Sequence, residues 1–571
     1  MPIWSSIRSS VLVLAVVSGA LAATPSGAAT FYVGVGTGCT HQFLSQAVTA
    51  TGANGAGLDI IRIASPSLAI GNLLMEVNNQ SVQIVGGFPN CTATTPTGRT
   101  LITFLSPDGD DGFWVHGATS ERFFGLTNID MVMGDNAGRG LTLQDLTTVA
   151  LDNSTISGGQ AEYGGNIKLE GDVLLQLLHG SEVYGGVAAN DLATIGSGGG
   201  IHCQNGGAVY IDSTSEVHDN YADYDGGGIF AFFCSITSEG VIYGNETSGN
   251  GAGIYAAGGT TVELLGADPG HLSRLLFNYA QTQGKGGGLF LVDAGTTAVA
   301  RNAAINDNFG AGGGGGAWVG AGTTFTMDVD PDTCSAGRGC SFLSGNDGAG
   351  GGGALMVVVN STATVRRTTI EGNSTYDGNP GNVASVDGTL LIESCEIFDN
   401  DNGELDPEVS RFYVIGTATI AFSTIVETTT ADVFWTGAGS QFHLVSSIVQ
   451  ADLTFHAPPF AATLDCIIAK EFASFPAVSP SFLQVTDPAL LFVNPAANDF
   501  RLKRGSPAQD FCDAAVYSTD HDMENQLRPY DDPTDANFIG AYDLGADEWR
   551  LDLFADGFES ANTFRWSSVV P

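Results

Sequence analysis

Positive charge is what this chain has least of: 20 Lys and Arg stand against 61 Asp and Glu, for a net charge of −41. A nucleic-acid partner is excluded on that balance, because gripping a polyphosphate backbone requires a basic surface. Long apolar runs are missing as well. Beyond the N-terminus no stretch reaches the about 18 uninterrupted apolar residues of a membrane-spanning helix, so no transmembrane helix is expected. No Cys/His spacing resembles a zinc site. Amphipathic helical periodicity is confined to one segment near the start, which argues against a globular βα fold.

Glycine is what the chain has in excess, with 78 residues, yet apolar residues still make up 43%. That much apolar surface offsets chain entropy, so the glycines signal many tight corners rather than disorder. At the N-terminus Arg8 is the only charge before the apolar run Val11 to Val17, and Ala20-Leu21-Ala22 supplies small residues for cleavage. This is the layout of a secretory signal peptide over residues 1–22. Nine cysteines in an exported chain permit disulfides. Cys334 and Cys340 close a short loop, Cys39 and Cys91 flank the first strands, and Cys203 and Cys234 lie about one repeat apart.

The repeat is the main signal. An apolar residue followed three positions later by Asn recurs at Val217/Asn220, Ile242/Asn245, Leu275/Asn278, Ile305/Asn308, Leu343/Asn346, Ile370/Asn373 and Ile397/Asn400. Gly-rich steps such as Gly226-Gly227-Gly228 and Gly314-Gly315-Gly316 follow the first five Asn and lead into another apolar strand. The apolar member continues without Asn at Ile156 and Val183, and again at Ile425, Ile448 and Ile467. Gly and Asn are the residues that tolerate left-handed corners, and residues alternating along short strands point into a bore. The pattern predicts an all-β, right-handed parallel β-helix, with the seven Asn stacked as a structural amide ladder. About sixteen coils at ~4.8 Å each would make a rod on the order of 75 Å long. Thr40 is placed to cap a short helix with Phe43, Leu44, Ala47 and Val48 on its apolar face and Gly52 at its end, serving as the N-terminal cap of the solenoid.

On these repeats the chain resembles the polymorphic outer-membrane protein repeat family over roughly 195–400, with Val, Ile or Leu mostly replacing the family's Phe. A second resemblance rests on Asp499-Phe500-Arg501-Leu502, Gly505-Ser506-Pro507-Ala508, Arg528-Pro529 and Ile539 to Glu548, which look like the choice-of-anchor region that closes many bacterial β-helix proteins. Leu553 to Ser560 looks like a short tail of exported Gram-negative proteins. The organisation expected is a signal peptide (1–22), an N-terminal cap (30–57), the pectate-lyase-like solenoid (58–486), a closing region (487–549) and a tail (550–571). The resemblances imply a location in the medium or at the outer membrane and surface of a Gram-negative cell.

Catalysis in such a fold needs carboxylates with a nearby base or a carboxylate pair. Bases in the repeats are few, and none forms a recognisable constellation with paired Asp. Asp108, Asp110 and Asp111, and separately Asp328, Asp330 and Asp332, are oxygen-rich loops able to hold calcium, without full EF-hand spacing. Asp520-His521-Asp522 reads as a hydrogen-bonded turn. The expectation is a non-catalytic surface or adhesion scaffold without a cofactor, contacting a cell-surface glycan or protein. The alternative is a polysaccharide lyase or glycosidase. The oligomeric state is left open.

Overall fold

The computed structural model describes residues 28–550 apart from 55–56, 72–73, 106–108, 110, 118–120, 135–137, 190–195, 335–337, 377–378, 401–409, 428–431, 452–454, 457–460, 473–474, 476–480, 513–520 and 532–539. The expected signal peptide (1–22) and all of the expected tail beyond Arg550 lie outside the described residues. The structure is all-β, and its strands stack in long parallel ladders. Sheet one runs from Thr30–Gly34 and Leu58–Ala64 to Gln441–Gln450 and Ala461–Ala469. Sheet two runs from Ser67–Ile70 and Thr100–Phe104 to Phe482–Gln484. Sheet three has 14 strands, from Met75–Asn78 to Phe455–His456, and a ladder of 7 two-residue strands joins sheet two to sheet three between Gln160–Ala161 and Asp347–Gly348. Each strand pairs with its equivalent one coil later. The arrangement is consistent with a parallel β-helix solenoid.

Alternation sets the register. In Leu58–Ala64 every second residue is buried, so a slip of one residue would turn the whole apolar set to solvent. Val217, Ile242, Leu275, Ile305, Leu343, Ile370, Ile397 and Ile425 are Cα partners in succession on sheet two, and all are fully buried. Burying each such side chain stabilises by about 2 kcal/mol. Ile156 and Val183 stand in the same column. After Ile425 the expected phase is off by one. Its partner is Val449, then Ala469, while Ile448 pairs with Thr424 and Ile467 with Ser447. The chain turns between sheets at Ser446 and Cys466, both left-handed, and here apolar residues occupy both faces because the C-terminal segment covers the outside.

The helix spans Leu44–Thr51 and buries Leu44, Ala47, Val48 and Thr51, the first three in the same core as the bore of the solenoid. Two expectations about its start change. Its N-cap is Phe43, whose ring is 56% exposed because it precedes the turn that begins the buried stripe. Thr40 instead lies along the outer edge of Thr30–Gly34. The Tyr32 N–H donates to Thr40 Oγ1 (2.8 Å), and Thr40 N and His41 N donate to the Tyr32 carbonyl (2.9 and 3.0 Å) while Gly34 N donates to His41 O (3.0 Å). The parallel ladder thus begins inside the segment assigned to the cap, and its first edge is covered by the chain itself.

Beyond the last parallel strand, Phe492–Asn494 and Asp499–Leu502 pair antiparallel. Leu491, Phe492, Phe500, Phe511 and Leu544 form a second core with the outward-facing Phe398, Ile448 and Ile468. Residues 521–531 and 540–549 then lie as a strap along the corner between sheets one and two. Arg367 Nη1 donates to Asn525 Oδ1 (2.9 Å), Ser394 Oγ to His521 O (3.2 Å), Gly545 N to Ser446 O (3.0 Å) and Ala546 N to Thr424 Oγ1 (2.9 Å). The Arg528 guanidinium sits 4.8 Å above the Phe422 ring. Carboxylates replace a ladder in this loop-rich strap. Asp522 accepts from the N–H groups of Glu524, Gln526 and Glu548 (2.7–2.9 Å), Asp543 from Asp510 and Trp549 (2.7 Å each), and Asp547 from Leu502 (2.6 Å).

Candidate functional surface

The seven Asn lie one above the other on the inner side of the corner between sheet two and the short ladder. Each side-chain amide donates to the Oδ1 of the next, from Asn220–Asn245 (3.0 Å) and Asn245–Asn278 (3.0 Å) through Asn278–Asn308 (2.9 Å) and Asn308–Asn346 (3.0 Å) to Asn346–Asn373 (3.1 Å) and Asn373–Asn400 (2.9 Å). Two members carry no repeat signature. Asn166 precedes the row (3.2 Å to Asn220), and Glu427 follows it, accepting from Asn400 (3.3 Å) and facing Arg411 (3.5 Å) at full burial. A second column supports the corner between sheets one and two. Ser154 N donates to Ser181 Oγ, Ser181 N to Ser215 Oγ, and Cys395 N to Ser423 Oγ. Its signal is a hydroxyl two residues before the buried apolar residue, as in Ser215/Val217 and Ser423/Ile425. Glycine is required at this corner: Gly226 is left-handed (φ +68°), with a Cβ 2.7 Å from the Ile229 carbonyl of its own turn, and at Gly227 a Cβ would sit 2.4 Å from the Glu246 carbonyl of the next coil.

Disulfides join Cys39 to Cys91, Cys203 to Cys234, Cys334 to Cys340 and Cys466 to Cys512. The last links the solenoid to the second core around Phe511 and has no short-range signature. Cys395 is a buried thiol. Of the first acidic loop, Asp108 and Asp110 lie outside the described residues, while Asp111 accepts from Arg139 N (3.0 Å) and Thr142 Oγ1 (2.5 Å). In the second, Asp328 is taken by Arg367 (2.8 Å), Asp330 Oδ1 accepts from Asp332 N (3.0 Å), and Asp332 is exposed. This insert also receives the strap. Asn525 donates to Pro331 O (3.4 Å), and Arg338 bridges Glu396 (2.7 Å) and Glu524 (3.4 Å). Among the described residues no group of three or more His, Cys, Asp and Glu converges as a metal site would require. His271 contacts Asp268 (3.0 Å) in an exposed turn.

The outward side chains of sheet three form a regular row, in which Thr142, His202 and Phe290 are buried and Trp114, Lys168, Phe230, Tyr255 and Trp318 are half-buried. One outward column reads Trp114, Thr142, Lys168, His202, Phe230, Tyr255, Phe290 and Trp318 in direct register. From His202 onward the rings stack on one another at 4.6, 4.9, 5.3 and 6.2 Å. The neighbouring column supplies Gln144, Glu170 and Gln204. Lys168 pairs with Glu170 (3.1 Å), Trp114 Nε1 donates to Gln144 (3.0 Å), and Lys285 lies 4.4 Å from the Trp318 ring centroid. Hydrogen bonding to Lys168 holds the Glu170 carboxyl below its ordinary range. Three of the chain's few bases, Arg139, Lys168 and Lys285, thus border one face. Sequence periodicity missed this row because its residue types change from coil to coil; only their phase, one position after the inward apolar residue that opens each strand, is constant.

Burial pushes Glu396, Glu427 and Glu548 up to about 7 and Asp225 and Asp347 to about 6, while burial lowers His202 to about 4. For the five acids the folded state holds its protons to higher pH. Their contribution is complete below the ordinary carboxyl range and lost as pH rises through 6 to 7. His202 acts oppositely, losing stability as pH falls through 4. The acids outnumber it, so the melting temperature is expected to rise by several degrees as pH is lowered from 8 to about 5.5; a flat or falling profile by circular dichroism contradicts this.

No family model matches the chain, and no curated protein matches it. The resemblances at 195–400 and 487–549 rest on their residue patterns. Among the described residues no helix is long and apolar enough to cross a membrane.

Proposed function

We propose that this chain is an exported, right-handed β-helix scaffold of a Gram-negative cell surface or its medium, which binds an extended glycan along the outer face of sheet three without catalysis. The observation that supports this most is the continuous outward column from Trp114 to Trp318. Amide, ammonium and carboxylate groups gather around Thr142 and Lys168, with Trp114 on one side and the stacked rings from His202 to Trp318 on the other, a combination that meets both the hydroxyls and the C–H faces of sugars. The leader at 1–22 supports export, and the pattern at 487–549 supports closure by an anchor-type region. The test is a glycan array probed with the whole protein, followed by titration of the best ligand. Lys168→Ala and Trp318→Ala are each expected to weaken binding by about tenfold. Retention of no glycan, or indifference to both substitutions, sinks the reading.

A polysaccharide lyase or glycosidase is the second reading, favoured by Lys168–Glu170 and Arg139–Asp111 bordering the same face. It predicts release of reducing or unsaturated ends from the glycan that binds.

A further inference from the structure

The corner between sheets two and three has an outer side as ordered as its inner Asn ladder. In the short ladder Tyr221, Glu246, Tyr279, Phe309 and Asp347 stand in direct register on successive coils. Tyr279 and Phe309 stack at 4.5 Å with planes 11° apart, and the Tyr376 ring leans back toward Phe309 at 6.4 Å and 54°. Tyr279 is 45% exposed and Tyr376 49%, with Phe309 half-buried between them, and nearby in sequence Phe277 is 60% exposed. The left-handed residues that lead into the buried Asn include Asp219, Asp307 and Asp399, and they add negative charge along the same line. In the turn segments 218–226, 243–251, 276–286, 306–314, 344–352 and 371–376 the only Lys or Arg is Lys285, whose ammonium is turned onto Trp318 of sheet three.

A contiguous exposed aromatic row marks an interaction site rather than a solvated edge. Its charge chooses the partner. Ring faces and carboxylates both attract cations, and guanidinium and ammonium groups satisfy the two at once. A divalent ion would gain nothing from the rings. We propose that this ridge binds an extended, basic polypeptide segment of a partner, whose Arg or Lys side chains lie on Tyr279, Phe309 and Tyr376 and against Glu246 and Asp347. Same-side residues of an extended segment recur every ~6.7 Å, and the long, flexible Arg and Lys side chains span the difference from the ~4.8 Å coil spacing. This surface is separate from the outer face of sheet three, so the inference stands whether or not a glycan binds there.

The test is fluorescence anisotropy with a labelled peptide of about ten alternating Arg and Gly residues, at near-physiological salt where diffuse attraction is screened. The whole protein is compared with three variants that melt like the parent. Tyr279→Ala with Phe309→Ala and Tyr376→Ala removes rings at constant charge; if it does not fold, Tyr376→Ala alone replaces it. Glu246→Gln with Asp347→Asn removes two ridge charges, and Glu263→Gln with Asp332→Asn removes two elsewhere. The first two are expected to weaken binding by about tenfold and the third by less than about twofold. Absence of binding by the parent, full binding by the ring variant, or equal weakening in the two charge variants overturns the proposal, the last two by reducing it to nonspecific attraction to an acidic protein.

Discussion

Asn308→Ala is expected to destabilise the middle of the solenoid by about 4 kcal/mol, although it adds no bulk and changes no charge. The Asn308 amide donates to Leu275 O (2.8 Å) and Asn346 Oδ1 (3.0 Å), and its Oδ1 accepts from Asn278 N (3.1 Å) and Asn278 Nδ2 (2.9 Å). Truncation removes one partner from each of the four at 1% exposure or less. Asn346 Oδ1 keeps the Asn308 N–H (3.2 Å) and Asn278 Nδ2 keeps Ile242 O (3.1 Å), while the Asn278 N–H loses the acceptor that ties it to the next coil. A buried polar group left unsatisfied costs about 1–3 kcal/mol, part of which local relaxation recovers. Because coils interact mainly with neighbours, the loss should centre on the strands around Leu275, Ile305 and Leu343. Hydrogen exchange is the suitable readout: protection there should drop by about two to three orders of magnitude. Unchanged protection would mean that the ladder is ornamental and the apolar column alone holds the corner.

The second large effect is expected at the N-terminal end. Cys39→Ser with Cys91→Ser opens a closure across 52 residues, worth about 4 kcal/mol in chain entropy. The cost is not only thermodynamic. Cys39 anchors the turn that lays Thr40 and His41 along Tyr32 to Gly34, so its release bares the donor and acceptor row of the terminal strand. The variant should therefore lose protection at Tyr32 and Gly34 and associate as concentration rises, which light scattering detects. A monomeric variant with the parent's protection at these amides would refute the covering role.

Much of the repeating part is legible in the residues. The apolar column from Ile156 to Ile425 and the Asn row are periodic, so each coil repeats the same physical demand. Legibility fails where that demand changes. Ile448 and Val449 are both apolar because one faces the bore and the other the strap, and no period distinguishes them. Phe43 looks like a helix-face residue by spacing and is an exposed N-cap by position. Glu427 closes the Asn row with a different residue type and a different spacing from its apolar neighbour Ile425. The strap itself depends on contacts such as Arg367–Asn525, 158 residues apart, where neither partner belongs to a motif. The sheet-three surface is intermediate: its phase is regular, but its chemistry varies from coil to coil.

An array of stacked units ordinarily comes apart from its ends, one unit at a time, because each unit is held only by the two beside it. The strap breaks that rule for the coils it crosses. Its contacts at Arg367, Ser394, Thr424 and Ser446 span four successive coils, so the first and the last of them, which do not touch, are tied to one segment. Pulling on the last coil therefore loads a cord fastened several coils further back. That portion of the rod should yield in one step at high force, while the untied coils before it peel away in a series of smaller ones.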